Sequence, residues 1–232
     1  MINYSDFPLP LAEHQYAVID RIRQPELPDT CQGAETELVS PMLAPQARLY
    51  PWLIPLNALP PGERKALISK LSQHSAADSP PDCTLLLSSP YPPQVVRSAL
   101  IRAMHFKDPQ RQGYILRYYD PRVLFHLHWM LSPWQLFNQL SGRELPGWTF
   151  WLEGEWRTLT FPGCVSWQPG DSAEVPLEQL QRCGMINRIL QALPPDTDMA
   201  HRQEISRKAD TLLEQALKCG LPGKEDCMAF AL

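Results

Sequence analysis

Apolar residues along this chain fall into short runs that alternate with stretches of helical spacing. The runs at residues 16–20 and 84–88 predict strands, and the unbroken run at 84–88 is typical of a strand buried on both faces. Residues 49–56 are also apolar but contain two prolines, which favours an edge strand. Apolar residues recur every three or four positions after Pro61 and after Pro92-Pro93, so a helix is predicted to open at each of these sites. The alternation predicts a sheet of mixed strand direction with flanking helices, in the α/β or α+β class.

A predicted strand over residues 114–119 ends abruptly at an Asp-Pro-Arg step. Asp120 has the short carboxylate that caps a helix N-terminus, and Pro121 suits the first helical position because its missing N–H is not needed there. The apolar residues that follow have the spacing of a buried helical face: Val123, Leu124, Leu127, Met130 and Leu131. The sequence therefore predicts a strand joined to a helix with almost no loop. A second short helix is predicted from Pro133.

Six of the seven tryptophans lie between residues 129 and 167. Within this stretch, residues 148–152 and 156–161 flank a short turn that contains Gly154, which is typical of a β-hairpin. Side chains alternate along a strand, so Trp148 and Trp151 face opposite ways. Either the rest of the protein covers both faces, or one aromatic face binds a protein partner. The hairpin candidates for such a contact are Trp148, Trp151 and Trp156.

The pattern becomes purely helical after residue 170, with an interruption at Pro194-Pro195. We therefore expect an α/β lobe over residues 1–170 and a smaller helical C-terminal lobe over residues 171–232. Helices with spare apolar faces accept segments of partner proteins. Leu212 and Leu213 are the candidates for such a contact in this lobe.

Composition narrows the class of protein. The chain has 232 residues, of which 44% are hydrophobic and 20% charged, as is ordinary for a soluble globular protein. A net charge of −4 argues against a nucleic-acid partner. No run approaches the roughly 18 apolar residues of a membrane span, and residues 1–7 lack the features of a secretory signal, so a cytoplasmic protein is expected. Six widely spaced cysteines predict free thiols without a metal site, no cofactor is indicated, and nothing requires more than a monomer.

Catalytic motifs are not found in the sequence. It contains no G-x-S-x-G, P-loop, G-x-G-x-x-G or H-E-x-x-H pattern. The one catalytic hypothesis is a small α/β hydrolase-like enzyme that uses Asp120 and His126. Asp120 is already explained as a helix cap, and His126 and His128 point to different faces of a helix. We therefore favour a protein that is not an enzyme.

Two arginines flank the strand–helix junction. In a buried strand Arg117 would need a carboxylate partner, and Asp20 or Asp120 is the candidate. Arg122 lies in the first turn of the predicted helix, where a cation is unfavourable for the helix dipole. Its position indicates another role, either a salt bridge or a contact with a partner.

The junction also carries a family resemblance. The run Arg117, Tyr118, Tyr119, Asp120, Pro121 and Arg122 resembles the signature of the type VI secretion effector adaptors, the Tap or TEC chaperones of Gram-negative bacteria. The resemblance extends to residues 16–20, 49–56 and 85–89 and covers roughly residues 14–165. It implies a cytoplasmic adaptor that binds a cognate effector and delivers it to the VgrG or PAAR protein of the secretion spike. We call these six residues the signature.

Overall fold

A seven-stranded antiparallel sheet organises the part of the chain that this computed structural model describes, namely residues 2–5, 8–73, 80–108, 110–194 and 197–220. The strands are β1 (Asn3–Ser5), β2 (Tyr16–Ile19), β3 (Thr36–Glu37), β4 (Trp52–Pro55), β5 (Leu85–Ser88), β6 (His105–Lys107), β7 (Gly113–Ile115), β8 (Gly147–Leu152) and β9 (Glu155–Thr160). Their order in the sheet is β1-β9-β8-β5-β2-β4-β3, and β6 and β7 form a separate two-stranded ribbon.

Six α-helices are found among the described residues, and four of them open with a proline at the first helical position. They are α1 (Pro61–Ser72), α2 (Pro93–Met104), α3 (Pro121–Met130), α4 (Pro133–Gln139), α5 (Leu177–Gln191) and α6 (Met199–Lys218). The helices predicted from the apolar spacing are therefore confirmed, and the α+β class is confirmed with them. None of the helices in the described ranges is long and apolar enough to cross a membrane.

The prediction of mixed strand directions is wrong, because each strand pair of the sheet is antiparallel. The connection through α1 explains the error. It links β4 to β5, which run the same way, but β2 lies between them and pairs with both. A strand–helix–strand pattern in the sequence thus produces two strands that run the same way but are separated by β2 and do not pair with each other.

β4 is also not the edge strand that its prolines favoured. It pairs with β2 on one side and with β3, the true edge, on the other. Leu38 donates its backbone N–H inward to Pro51, so the carbonyls of Glu37 and Val39 point outward. Arg97 of α2 donates to both of those carbonyls, at 3.0 and 3.1 Å. A side chain therefore satisfies the edge that no strand covers.

Both faces of the central sheet are buried. One face carries Leu85, Leu87, Trp148 and Phe150 and packs with residues of α2 and α3. The other face carries Leu86, Trp151 and Trp156 and packs with Leu67 and Leu71 of α1. The double-sided burial predicted for residues 84–88 is confirmed.

A third apolar cluster joins the two C-terminal helices to α3. Met130 at the end of α3 packs with Ile186 and Ile189 of α5 and with Leu213 of α6. Between the two long helices, the buried Arg182 donates to Asp210 at 2.6 Å, and Gln179 donates to the second carboxylate oxygen at 2.7 Å. The division of the chain into lobes at residue 170 stays a prediction.

The hairpin of β8 and β9 is confirmed. Its turn consists of Glu153 and Gly154, which both have positive φ, at 52° and 86°. Two successive positive φ values are those of a type I′ turn, whose twist matches that of the flanking strands. The φ of 86° favours glycine at position 154, because a side chain at that value is strained.

Candidate functional site at the signature junction

The signature begins in a turn and not in a strand. β7 ends at Ile115, so the prediction of a strand through residue 119 is wrong beyond that point. The backbone N–H of Leu116 donates to Met104 at 2.7 Å, and that of Asp120 donates to Arg117 at 3.0 Å, which closes the turn. Tyr118 enters the core within this turn, and its hydroxyl donates to the Leu100 carbonyl at 3.1 Å. Burying that side chain takes the chain away from the ribbon.

Asp120 caps α3 as the sequence predicted. Its carboxylate accepts the backbone N–H of Arg122 at 3.0 Å, and Pro121 occupies the first helical position. The same carboxylate accepts two hydrogen bonds from the Arg122 side chain, at 3.0 and 2.7 Å. Burial raises the pKa of Asp120, but the hydrogen bonds and charge of Arg122 outweigh burial and leave the pKa below its usual value. The salt bridge anticipated for Arg122 is therefore present.

Arg117 is held in a similar way by a different carboxylate. Its Nη2 donates to Asp20 at 3.1 Å, so the predicted carboxylate partner is present, and of the two candidates it is Asp20 and not Asp120. Its guanidinium also lies 5.5 Å from the centre of the Tyr119 ring. The Nε atom is buried and has no hydrogen-bond partner among the described residues.

Arg117 and Arg122 are therefore held in the same way, each by a buried aspartate. Each arginine side chain is about two-fifths exposed, at 41% for Arg117 and 43% for Arg122, while the side chain of its aspartate partner is 4% or 6% exposed. A buried carboxylate cannot leave the core, so it fixes the direction in which the exposed cation points. Fixed guanidinium groups bind carboxylate or carbonyl oxygens with little loss of side-chain entropy. The junction thus presents two oriented hydrogen-bond donors to an incoming partner.

The aromatic residues of the signature serve the core. Tyr118 is fully buried and meets Trp148 edge to face, with ring centres 5.3 Å apart. Burial raises the pKa of Tyr118 well above its ordinary value, so its hydroxyl stays protonated and donates. Tyr119 is 3% exposed. The signature therefore divides into buried rings that fix the junction and outward cations that remain available.

A small cleft lies beside Arg122, where α3, the β8–β9 hairpin and the helix pair meet. Its volume is about 70 Å³. Apolar side chains form most of its wall: Phe125, Leu152, Leu190 and Met199. The buried Arg202 lies on the far side, where it donates to the carbonyls of Thr197 and Pro194 at 3.1 and 3.3 Å. The cleft has room for a single small side chain.

The groups named in the hydrolase hypothesis are both engaged. His126 is fully buried; its Nδ1 accepts from the Trp129 indole N–H at 3.2 Å, so its Nε2 carries the proton and donates to Asn187 Oδ1 at 2.9 Å. Burial lowers the pKa of His126 to about 4, which keeps the ring neutral. Catalysis by Asp120 and His126 would require both to change partners. No group of three potential metal ligands occurs within the described ranges.

The tryptophans proposed as a contact surface lie in the core instead. Trp148 is fully buried, Trp151 is 4% exposed and Trp156 is 8% exposed. The indole N–H of Trp156 donates to Leu71 of α1 at 3.2 Å, which shows how closely that helix covers the second face. The idea that these three residues bind a partner is therefore corrected. Both faces of the hairpin are covered by the protein itself.

The two contact candidates in the C-terminal helices, Leu212 and Leu213, differ in exposure. Leu213 is fully buried between the long helices, so it is not a contact residue. Leu212, one position earlier, is half-buried. The sequence did not single out the apolar side chains that are in fact exposed near the signature, such as Ile22 and Leu49 at 51% and 47%. Their exposure follows from tertiary packing and leaves no mark on local periodicity.

These features define an α+β protein whose signature is a rigid corner carrying two fixed arginines. A family model described as a domain of unknown function (DUF4123) matches residues 15–137, just over half of the chain. The chain therefore belongs to the DUF4123 family. The matched segment runs from β2 into α4 and contains the whole signature. Comparisons with curated proteins and with solved structures give no match.

Proposed function

We propose that this protein is a non-enzymatic adaptor of the type VI secretion system. It binds a cognate effector in the bacterial cytoplasm and loads it onto the VgrG or PAAR protein of the spike. The resemblance of the signature to that of the effector adaptors supports this proposal, and so does membership of a family that spans the same segment. The observation that carries it is the pair of arginines, each fixed by a buried carboxylate and each partly exposed.

The geometry of the signature suits the binding of a protein partner better than catalysis. An adaptor needs a rigid surface that recognises its client and later releases it. Arg117 and Arg122 provide such a surface because the groups that orient them, Asp20 and Asp120, are buried. Surface recognition of this kind depends on hydrogen-bond geometry and charge rather than on a reactive group.

An adaptor gene should lie between a VgrG gene and an effector gene, so co-expression with the neighbouring effector gene product tests the proposal. We expect a complex that survives size-exclusion chromatography, and more soluble effector in the presence of this protein. Deleting the gene should remove that effector from the culture supernatant while leaving secretion of the spike itself intact. An effector whose solubility and secretion do not change, with no complex, would overturn the proposal.

A matched pair of variants links the function to the signature. Arg117→Gln keeps a side-chain donor for Asp20 but removes the charge, and we expect it to weaken the complex. Arg143→Gln is the control, because Arg143 is an exposed arginine away from the signature with no ion pair among the described residues. Equal binding by both variants would assign recognition to another surface.

A further inference from the structure

Three exposed apolar side chains belong to the chain segments that meet around Arg117. Ile22, Leu49 and Ile115 are 51%, 47% and 47% exposed, and each belongs to a different segment. Single exposed apolar residues are ordinary, but three on adjoining segments form a patch.

Hydrogen bonds bring these segments together. Arg117 donates to Asp20 at 3.1 Å, and the Asp20 carboxylate also accepts the backbone N–H of Ile22 at 3.0 Å. From the same segment, Arg21 donates to the Ala47 carbonyl at 3.1 Å. Residues 20–23, 47–50 and 115–117 therefore meet at the end of the sheet where β2 finishes and β4 begins.

The same segments carry arginines that lack a carboxylate. Arg23 and Arg48 are exposed, and neither side chain has a hydrogen bond or ion pair within the described part of the chain. Arg21, by contrast, is paired with Glu37 at 2.8 Å. Two uncompensated cations thus stand beside three exposed apolar side chains, on a protein whose net charge is −4. We call Ile22, Arg23, Arg48, Leu49, Ile115 and Arg117 the arginine face.

Among the described residues, the Tyr50 hydroxyl and Arg117 Nε lie buried beneath this face with no hydrogen-bond partner. The Arg117 side chain as a whole is 41% exposed, so an incoming oxygen can approach its outer N–H groups. The local chemistry therefore favours an oxygen-bearing, anionic ligand over a purely apolar one.

We propose that the arginine face docks an acidic, apolar segment of a partner protein. Carboxylates of that segment pair with Arg23, Arg48 and Arg117, and its apolar side chains cover Ile22, Leu49 and Ile115. This inference rests on the proposed function, because it identifies the surface and the chemistry by which the effector would be recognised. Charge complementarity on an apolar floor provides both attraction and specificity.

The test compares two charge reversals of equal size. Arg23→Glu/Arg48→Glu changes the arginine face at two side chains that make no hydrogen bond or ion pair with other described residues. Arg143→Glu/Arg188→Glu is the control, since both of those arginines are also exposed and without ion pairs among the described residues. Arg143 precedes β8, whose first residue pairs with Ser88 at the opposite end of the sheet.

The first probe is a short fluorescent amphipathic peptide built from leucine and glutamate. We expect the wild type and the control to bind it in a salt-sensitive way, and the arginine-face variant to bind at least about tenfold more weakly. Equal binding of a leucine–lysine peptide, no binding of the glutamate peptide, or no effect of the reversal would overturn the inference. Equally tight binding of duplex DNA, lost in the same variant, would show a general polyanion site and overturn it too.

The second probe is the neighbouring gene product in the co-purification described above. If the wild type retains it and the arginine-face variant releases it, the inference holds for the natural partner. If both retain it, the adaptor function stands and this surface is wrong. If the wild type forms no complex, the proposed function fails, while the peptide result still decides whether the face binds acidic apolar segments.

Discussion

At the scale of single residues, buried polar groups fix the positions of neighbouring side chains and helices. Asp20 and Asp120 fix two arginines, and His126 joins α3 to α5 through Asn187. Both aspartates accept hydrogen bonds from these arginines, and His126 donates one to Asn187. A buried group that loses its partner costs more than the interaction itself contributed. Substitutions that remove one of these buried polar partners should therefore have the largest effect on stability.

Removing the cap of α3 should reveal this cost. Asp120→Ala deletes the acceptor for the Arg122 backbone N–H and the partner of its guanidinium, so we expect a loss of about 2–3 kcal/mol in the free energy of unfolding. Asp120→Asn retains an acceptor and should lose about half as much. Urea denaturation of both variants beside the wild type measures the difference, and equal losses would contradict the split between cap and ion pair.

Stability should fall in mild acid because His126 is buried neutral. Its pKa is lowered to about 4 in the folded protein, whereas an unfolded histidine titrates near 6.5, so the unfolded state binds more protons below that value. Stability from this residue is complete above pH 6.5 and is lost as the pH falls toward 4. We expect about 2 kcal/mol less stability at a pH of about 5 than at about 8 from His126 alone.

Comparison with a variant isolates that contribution. His14 also has a pKa lowered by burial and adds a loss of the same sign, so the wild type should lose more than His126 accounts for. His126→Gln keeps a polar group toward Asn187 without the titration. Its deficit relative to the wild type should shrink between about pH 8 and about pH 5. A constant deficit would show that His126 does not titrate in this range.

At the scale of secondary-structure elements, turns and helix starts are determined by the local sequence. The prolines that open α1, α2, α3 and α4, the Asp120 cap and the turn at Gly154 were all predictable, because each acts through its own backbone geometry. Strand direction and strand length were not. Residues 116–119 have strand-forming side chains, yet Tyr118 is drawn into the core and ends the ribbon. Such competition between local preference and burial is decided by the tertiary structure.

The hairpin turn offers a test at this scale. Gly154→Ala should destabilise the protein by about 1 kcal/mol, because φ of 86° is strained for any residue with a Cβ atom. Gly163→Ala is a suitable control, since Gly163 has no positive φ and its surroundings leave open space for a methyl group. Thermal unfolding of both variants measures the shift. A larger loss at Gly163 would contradict the type I′ assignment.

At the scale of the whole molecule, the candidate site was only half visible in the sequence. The signature and the need of Arg117 for a carboxylate partner could be predicted, because motif and charge are local properties. The choice of Asp20 over Asp120 depends on the tertiary structure. The contact surface could not. Aromatic density drew attention to Trp148, but the best-buried side chains of a fold are often its largest, and exposure depends on which helices cover which face. The exposed Leu49 carries no comparable signal in the sequence.

The helix pair and α3 should depend on each other for stability. A chain ending at residue 170 would expose Met130 and the face of His126 that binds Asn187. We expect that fragment to bind a hydrophobic dye and to elute as aggregates in size-exclusion chromatography, and co-expression of residues 171–232 to reduce both effects. A soluble, cooperatively unfolding fragment would instead show that the predicted lobes are independent domains.

The β3 edge of the sheet, where Arg97 occupies the outward carbonyls, constrains how a partner can bind. With Arg97 occupying the outward carbonyls of Glu37 and Val39, β3 presents no free row of acceptors for a visiting strand. Two copies of the protein therefore gain little from lining up their sheets at this edge. Any contact made there depends on side chains, whose identity can change without disturbing the backbone beneath them.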